Sequence, residues 1–289
     1  MNLQKSDRGI LGRAQNGNLA VFAASGLLLA SWLSRIPDVK QEMQLTTGML
    51  SILLLAAALG ALAGLPIAGR ISTRLGDRNT VRISALACMV SIFVAALAIQ
   101  FISGLPIPMI ALFLFGFGVG VWDVGANLQG TSIEIKKGRA IMPWFHAAFS
   151  GGTIIGALIG ALATHFKFPF IVHMLLAVFV TSTLIMWGTS GYLKMEFESK
   201  AEVEGNTKPK ERSAWKEPRT LLIGLMALAA AFAEGTANDW IAVAFVDGYG
   251  TSNTEGVLGL ATFLTFMTAG RIFGTRALDT YGRVITLRV

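Results

Sequence analysis

The stretch that decides the fold is Ala68-Gly69-Arg70-Ile71-Ser72-Thr73-Arg74-Leu75-Gly76-Asp77-Arg78, which reads as a short charged turn between two long apolar runs. A second version begins 201 positions later, from Ala68 to Ala269, as Ala269-Gly270-Arg271-Ile272-Phe273, and continues with Asp279-Thr280-Tyr281-Gly282-Arg283. Repetition at this distance predicts two similar halves. Because the second version stands close to residue 289, we expect the second half to be cut short.

The composition is that of a protein embedded in a membrane. Of the 289 residues, 53% are apolar and 14% are charged, whereas soluble domains carry about a quarter charged residues. Several apolar runs are long enough to cross a bilayer as helices, which satisfy their own backbone groups in lipid. We therefore predict an all-α polytopic membrane protein. Its eight predicted spans cover approximately residues 18–35, 46–67, 80–101, 109–133, 141–164, 168–192, 220–246 and 257–275.

The basic residues indicate an orientation rather than a nucleic-acid partner. The formal net charge is +7, but the Lys and Arg residues fall in the gaps between apolar runs. With the N-terminus in the cytoplasm, 21 of the 24 lie inside, and only Arg35, Lys40 and Lys167 lie outside. Such a bias is typical of cytoplasmic loops. The sequence therefore predicts a cytoplasmic N-terminus, and the first run, which ends without a small-x-small site, is not a cleaved signal peptide.

A charged segment divides the chain. Residues 194–219 hold seven Lys or Arg and six Glu without a long apolar run, which is typical of a solvated linker. We predict a six-helix bundle over 1–192, a cytoplasmic linker over 193–219 and a partial bundle of two spans over 220–289. Cys88 is the only cysteine, so no disulfide can form within the chain, and we interpret it as a small core residue.

This organisation resembles the major facilitator superfamily, whose members have two six-helix halves joined by a cytoplasmic linker. The family's turn after span 2 has the form Gly-x-x-x-Asp-Arg/Lys-x-Gly-Arg-Arg/Lys. Here Gly69, Arg74, Gly76 and Arg78 match it, whereas Thr73 replaces the family's Asp and Asp77 replaces an Arg. The second version keeps Asp279, Gly282 and Arg283, with Thr275 in the Gly position.

Four further stretches resemble the bacterial branch of fucose permeases and uncharacterised inner-membrane transporters: Trp32 to Pro37, Asp123 to Asn127, Pro143 to Ala147, and Glu234 to Trp240. The resemblance implies a bacterial inner (cell) membrane protein. Family members have twelve spans, so it also implies a C-terminally truncated fold with a complete first half and two helices of the second.

The resemblance gives the charged turn a role. In the family this turn forms a clamp that holds the cytoplasmic side closed in one state. The residues expected in this cytoplasmic gate are Gly69, Arg70, Arg74, Gly76, Asp77, Arg78, Asp279 and Arg283. The alternative is ordinary anchoring by positive charge, which accounts for the arginines but not for their repetition.

Polar residues inside spans 4 and 7 are candidates for a solute or proton pathway, since ionisable groups in a membrane usually face a cavity or a partner. On span 4, Asp123 and Asn127 share a helix face with Gly130 and Glu134. Asp123 is expected at a cavity, with a helix-to-helix hydrogen bond as the alternative, and Glu134 is expected in solvent. On span 7 the candidates are Glu234, Asn238, Asp239 and Trp240. Glu234 is the strongest, whereas Asp239 suggests a gate, and Trp240 is an ordinary interfacial residue.

Spans 1 and 5 add further candidates. Trp32 and Arg35 lie at the outer end of span 1, where Arg35 shares a face with Ser31 and Asp38 and is expected to pair with Asp38, Asp239 or Asp247, or else to extend into solvent. His146 shares a face with Ser150 and Thr153 on span 5. It could serve proton coupling, although a structural role is the stronger interpretation. The glycines of spans 4 and 5 are expected to allow close helix packing: Gly116, Gly118, Gly120, Gly152, Gly156 and Gly160.

These patterns predict a secondary active transporter of a small polar solute, sugar-like or a metabolite or drug, with protons as the candidate coupling ion and alternating access as the mechanism. No phosphate-binding, nucleophile or metal-ligand motif is present, so we predict neither an enzyme nor a cofactor. The alternative is a truncated, non-transporting membrane protein or assembly subunit, which would self-associate or bind a complementing fragment. A channel is disfavoured because no repeated filter residues are visible.

Overall fold

The computed structural model describes residues 5–102, 104–193 and 217–281. This part of the chain is helical throughout, and eight of its helices are long and apolar enough to cross a membrane. The prediction of an all-helical fold with eight spans is confirmed. In chain order the helices are α1 (Lys5–Leu33), α2 (Ile36–Glu42), α3 (Thr47–Leu75), α4 (Asp77–Phe101), α5 (Pro106–Lys137), α6 (Met142–His165), α7 (Phe170–Ser190), α8 (Pro218–Tyr249) and α9 (Asn253–Tyr281).

The helices pack in a continuous order that differs from their order along the chain. Helix α3 contacts α5, α5 contacts α4, α4 contacts α7, α7 contacts α1, and α1 contacts α6. Because α1 also contacts α5, the first six spans close into one bundle. Helix α9 then packs on α6, and α8 packs on α9, so the second half joins the first through the α6–α9 contact.

The prediction of a charged turn over Ala68–Arg78 is wrong for most of these residues. Helix α3 continues through Arg74 to Leu75, and only Gly76 separates it from α4. Gly76 has a φ of 75°, a conformation that glycine adopts without steric cost. One residue is therefore enough to reverse the chain, and the preceding arginines remain on the last turns of a helix.

The second version of the stretch is helical too. Helix α9 continues without a break through Ala269–Phe273 and ends at Tyr281, since an isolated glycine such as Gly270 is tolerated inside a helix. The predicted linker falls largely on residues 194–216, which lie outside the described residues.

Two differences concern the first span. Helix α1 begins at Lys5 rather than near residue 18, and a short helix, α2, follows its end. The early start is explained by close packing, because Gly17 of α1 and Gly188 of α7 meet without side chains, and a Cβ atom on Gly17 would overlap the Gly188 carbonyl oxygen. Gly17 and Arg13 thus lie against the C-terminal end of α7, at Gly188 and Gly191.

Glycines bring two further pairs of helix backbones into direct contact. Between α3 and α5, a Cβ atom on Gly60 would overlap the carbonyl oxygen of Phe113, and one on Gly116 would overlap that of Ala57. Between α1 and α6, a Cβ atom on Gly152 would overlap the carbonyl oxygen of Ala23. Gly156 and Gly160 continue this α6 stripe against Leu27 and Ser34. The prediction that this stripe serves close packing is confirmed, as it is for Gly116.

We predict that Gly60→Ala lowers the melting temperature of the purified protein in detergent. The new methyl group must push α3 away from α5, and overpacking of this kind costs about 1–3 kcal/mol. Gly69→Ala is the matched control on the same helix, because a Cβ atom there has no atom within 4 Å, and alanine favours a helix over glycine. Equal melting temperatures for the two variants would contradict the prediction.

Candidate functional site

A cavity of about 350 Å³ lies where the first six spans meet the last two. Both parts of the chain contribute side chains to it, and four of the six can carry a charge. The lining residues are Phe22 of α1, Asp123 of α5, His146 and Phe149 of α6, Glu234 of α8 and Arg271 of α9. Three of the predicted pathway residues, Asp123, His146 and Glu234, are therefore brought together.

An ion pair joins the last two spans inside this cavity. Arg271 Nη2 donates to both carboxylate oxygens of Glu234, each at 2.8 Å. The guanidinium also reaches across to the first half, where its Nη1 lies 3.4 Å from Ser150 Oγ. Pairing of this kind is what a charge inside a membrane requires. The pair thus links α8, α9 and α6.

Arg271 is a charged residue of the cavity that sequence reasoning missed. It was assigned to the repeated turn and counted among the cytoplasmic charges, whereas the structure places it within α9 and against Glu234. The available signal was its position inside the eighth predicted span, since an arginine there needs an acidic partner. Phe22 and Phe149 were also missed, because apolar residues in an apolar helix carry no distinguishing pattern.

The Asp123 side chain forms its hydrogen bond within its own helix. Its Oδ1 accepts a hydrogen bond from Asn127 Nδ2 at 3.1 Å, and the same amide donates to the Asp123 carbonyl oxygen at 2.8 Å. Among the described residues it makes no side-chain hydrogen bond to another helix. Its exposed side chain faces the cavity, so Asn127 orients the carboxylate and leaves its second oxygen available.

Two residues of the predicted α5 face, Gly130 and Glu134, stabilise the fold. Glu134 was expected in solvent, but its Oε2 accepts the backbone N–H groups of Ile141 and Met142 at 2.7 and 2.9 Å. A carboxylate at this position satisfies free donors at the start of α6. Gly130 is a packing residue, since a Cβ atom there would lie 2.8 Å from Met142 Sδ.

His146 lies at the cavity and against an aromatic ring. Its ring centroid is 5.5 Å from that of Phe22, in an edge-to-face arrangement. Phe22 also stacks on Phe145 at 5.5 Å. The stronger interpretation of the sequence was a structural histidine, and in the structure the imidazole packs on Phe22 while lining the cavity with Asp123.

The remaining α8 and α1 candidates lie outside the cavity lining. Asn238 Oδ1 is buried without a hydrogen-bond donor among the described residues, one helical turn from Glu234. Asp239 is half-buried, and Trp240 packs against the apolar core. Trp32 is buried with its ring centroid 6.3 Å from that of Phe170, which makes it a core residue at the end of α1.

A second polar cluster lies at the end of the bundle where α1 and α2 meet. Arg35 forms an ion pair with Asp38, as one of the predicted alternatives had it, and also donates to the Phe168 carbonyl oxygen at 3.0 Å. Its guanidinium carbon lies 5.6 Å from the Phe170 ring centroid. Asp247 pairs with Lys40 instead. Arg35 is thus buried and fully engaged, not extended into solvent.

Asp38 connects this cluster to the second half of the chain. Its Oδ1 accepts from Asn253 Nδ2 of α9 at 2.6 Å, and its Oδ2 accepts from Thr164 Oγ1 of α6 at 3.2 Å. Asn253 also exchanges hydrogen bonds with Gln41, at 2.9 and 3.0 Å. We call Arg35, Lys40, Asp38, Gln41, Asn253 and Asp247 the α2 cluster.

The predicted cytoplasmic gate is only partly described. Arg70 and Arg74 are exposed, and no acceptor among the described residues lies within hydrogen-bonding distance of them. Arg78 instead donates to the carbonyl oxygens of Ser190 and Tyr192, at 2.8 and 3.4 Å. These bonds hold α4 to the end of α7, within the first half. The Asp279 side chain and Arg283 lie outside the described residues.

Asp77, one of the predicted gate residues, is buried at the start of α4. It accepts a hydrogen bond from Ser72. Tyr192 donates to Asn18 Oδ1 at 2.7 Å, and Asn18 donates to the Ala126 carbonyl oxygen at 3.2 Å. Burial, and to a lesser extent the Asp77 carboxylate, raises the pKa of the Tyr192 phenol well above its usual range, so this hydroxyl remains a neutral donor.

We predict that Glu234 and Arg271 are energetically coupled. Glu234→Gln and Arg271→Gln should each lower the melting temperature, and the double variant should lose less than the two losses added together. The side chains are 39% and 43% exposed, so we expect a modest coupling of about 1 kcal/mol. Strict additivity in a thermal double-mutant cycle would show that the contact contributes nothing. The pair Glu134→Gln and Arg271→Gln should be additive, because Glu134 has a different partner.

Comparison with known proteins gives the chain its family. The family model described as Major Facilitator Superfamily matches residues 17–289. An uncharacterised transporter of Sinorhizobium fredii is 34% identical over 94% of this chain and 70% of its own length. An uncharacterised MFS-type transporter of Yersinia pestis is 30% identical over 92% and 66% of the two lengths, and membrane protein MosC of Rhizobium meliloti is 26% identical over 90% and 61%.

These matches confirm the prediction of a multi-pass membrane protein of a transporter family rather than an enzyme. The three relatives are bacterial, which agrees with the cell membrane as the location. This chain spans about two thirds of their length. With its eight membrane-length helices and the matched residues, the chain belongs to the Major Facilitator Superfamily.

Proposed function

We propose that the chain carries out secondary active transport of a small polar solute, sugar-like or a metabolite or drug, at the central cavity. One observation carries this proposal: Asp123 and His146 of the first six spans share a cavity with Glu234 and Arg271 of the last two. Charged groups inside a membrane are costly unless they serve a pathway or a partner. The similarity to the fucose-permease branch supports a site at this position.

The site also supports coupling to protons. Arg271 donates to both carboxylate oxygens of Glu234. Protonation of Glu234 would weaken this pair and free the guanidinium, so one proton could change the charge that a solute meets. Symport and antiport are both compatible with this step. In this scheme Glu234 of the last two spans binds the proton, and Asp123 of the first six spans binds the solute.

Alternating access would then act on the α2 cluster. Its bonds from Asp38 to Asn253 and from Lys40 to Asp247 join the first half to α9 and α8. The charge bias of the sequence places this end outside the cell, with the N-terminus in the cytoplasm. In the proposed arrangement 1–192 and 220–289 are the two moving parts, 193–219 is the linker, and the described state is closed at the outer end.

The alternative is a membrane subunit without transport of its own. It is favoured by α8, where Leu222, Met226 and Phe232 are 61%, 59% and 73% exposed. A second copy of the chain or a complementing fragment would cover this face, and so would lipid. Native mass spectrometry from lipid nanodiscs separates these cases: a monomer that transports argues against the subunit, and a dimer without transport supports it.

We expect vesicles containing the protein to accumulate at least one solute from a metabolite mixture, relative to protein-free vesicles, when accumulated solutes are identified by mass spectrometry. Glu234→Gln and Asp123→Asn should each reduce its accumulation by at least about tenfold, equivalent to ~1.4 kcal/mol. Glu134→Gln is the control, since it removes a carboxylate from the same face of α5 outside the cavity. If the double variant with Glu234→Gln and Asp123→Asn accumulates the solute as the unmodified protein does, the site assignment is wrong. Dissipation of the proton gradient should abolish accumulation.

Opening of the outer end can be followed by cysteine labelling. Thr254→Cys places a thiol in the polar cavity beside the α2 cluster, and the native Cys88 is buried, so the background is low. We expect Asp38→Ala to increase labelling of this thiol by a membrane-impermeant maleimide, because the bond to Asn253 is lost. Glu42→Gln, an exposed change on the same short helix, should leave the rate unchanged. An equal rate in both variants would mean that Asp38 does not hold this end closed.

A further inference from the structure

The two carboxylates of the central cavity have different electrostatic surroundings. Glu234 is neutralised by the two hydrogen bonds from Arg271. Asp123 accepts only the amide of Asn127 from its own helix, and it forms no ion pair among the described residues. Because Glu234 already has a cationic partner, Asp123 is the carboxylate of the cavity whose charge a ligand can neutralise.

Two hydrogen-bond acceptors in and beside the cavity lack a donor among the described residues. The guanidinium of Arg271 is used by Glu234 and Ser150. Asn238 Oδ1 is buried without a donor among the described residues, one turn along α8 from Glu234. The second oxygen of Asp123 likewise accepts no hydrogen bond in that part of the chain. A ligand that binds the free Asp123 oxygen must therefore supply a donor, and an ionised carboxylate supplies none.

Aromatic rings stand beside these acceptors. Phe22 and Phe149 line the cavity together with Asp123. The faces of such rings attract cations, most strongly where water is excluded. An ammonium group combines a positive charge with three N–H donors, and it matches both the carboxylate and the rings. A volume of about 350 Å³ is in the range of small-molecule sites.

From this arrangement we propose that the solute is an organic cation with a protonated amine, whose ammonium group binds Asp123 between Phe22 and Phe149. The inference rests on the proposed function, of which it names the substrate class. Glu234 and Arg271 remain a closed pair during this contact, so the cation meets one free negative charge. A neutral polyol lacks the charge to replace a counterion at Asp123, and an anion would be repelled by it.

The test is a thermal-shift screen of the purified protein in lipid nanodiscs. The probes are matched sets that keep one scaffold and change only its charge: glucosamine, glucose and glucuronate, and cyclohexylamine, cyclohexanol and cyclohexanecarboxylate, together with a general metabolite library sorted into cations, neutral compounds and anions. We expect the stabilising compounds to be cations. Asp123→Asn should raise the dissociation constant of the best binder about ten- to a hundredfold, since a charge-assisted contact is lost.

The matched control is Glu134→Gln, which removes a negative charge from α5 but should leave the dissociation constant unchanged. A screen without a cationic binder overturns the inference. Neutral or anionic binders that are lost in Glu234→Gln would overturn it while the proposed function stands, because the cavity would still bind solute. Binding of cations that is unchanged in Asp123→Asn would also overturn it. No binder in any class, combined with no solute accumulation in vesicles, would overturn both.

Discussion

The direct contact between the backbones of α1 and α6 is the constraint on which the central cavity depends. At Gly26 and Gly152 the two helices approach so closely that a Cβ atom on either would overlap a carbonyl oxygen of the other, at Phe149 and Ala23. Within a membrane, apolar side chains gain little by leaving lipid, so packing of small residues is what holds helices together. The contact sets Phe22 beside His146 and Phe149, and it orients α6 so that Ser150 meets Arg271 of the second half.

Charge pairing helps to position α8 and α9 against the packed pair of α1 and α6. Helix α8 contacts α9 and the short helix α2, and its carboxylate at Glu234 is satisfied by Arg271. At the end of the bundle that contains the α2 cluster, Asp38 accepts a hydrogen bond from Asn253 of α9, and Lys40 pairs with Asp247 of α8. Polar contacts thus add to the α6–α9 packing, where Leu260 and Leu264 are buried in the apolar core. Hydrogen bonds and ion pairs can be exchanged for others at small net cost, whereas glycine-packed helices cannot slide without steric overlap.

Much of the architecture could be predicted from the sequence, because it depends on which segments are apolar enough to lie in lipid as helices. Eight apolar runs became eight long helices, and the Gly152, Gly156 and Gly160 stripe became a helix contact. The predicted turns failed for a local reason: arginine-rich residues before Gly76 look like a loop, yet a single glycine makes the reversal and the arginines stay helical. Asp123, His146 and Glu234 were named because a titratable group in an apolar run stands out. Arg271 was overlooked because its apparent membership in a repeat suggested a position at the membrane edge.

The sequence by itself determined that the chain is helical and lies in a membrane, since hydrophobic run length and unpaired backbone groups leave no other solution. It also indicated that Asp123, His146 and Glu234 are candidates for a cavity or a polar partner. Only the tertiary structure decided the distant partners: Arg271 for Glu234 and Asn253 for Asp38. The partners of Glu234 and Asp38 stand 37 and 215 positions away, and no periodicity along one helix specifies which other helix will pack against it.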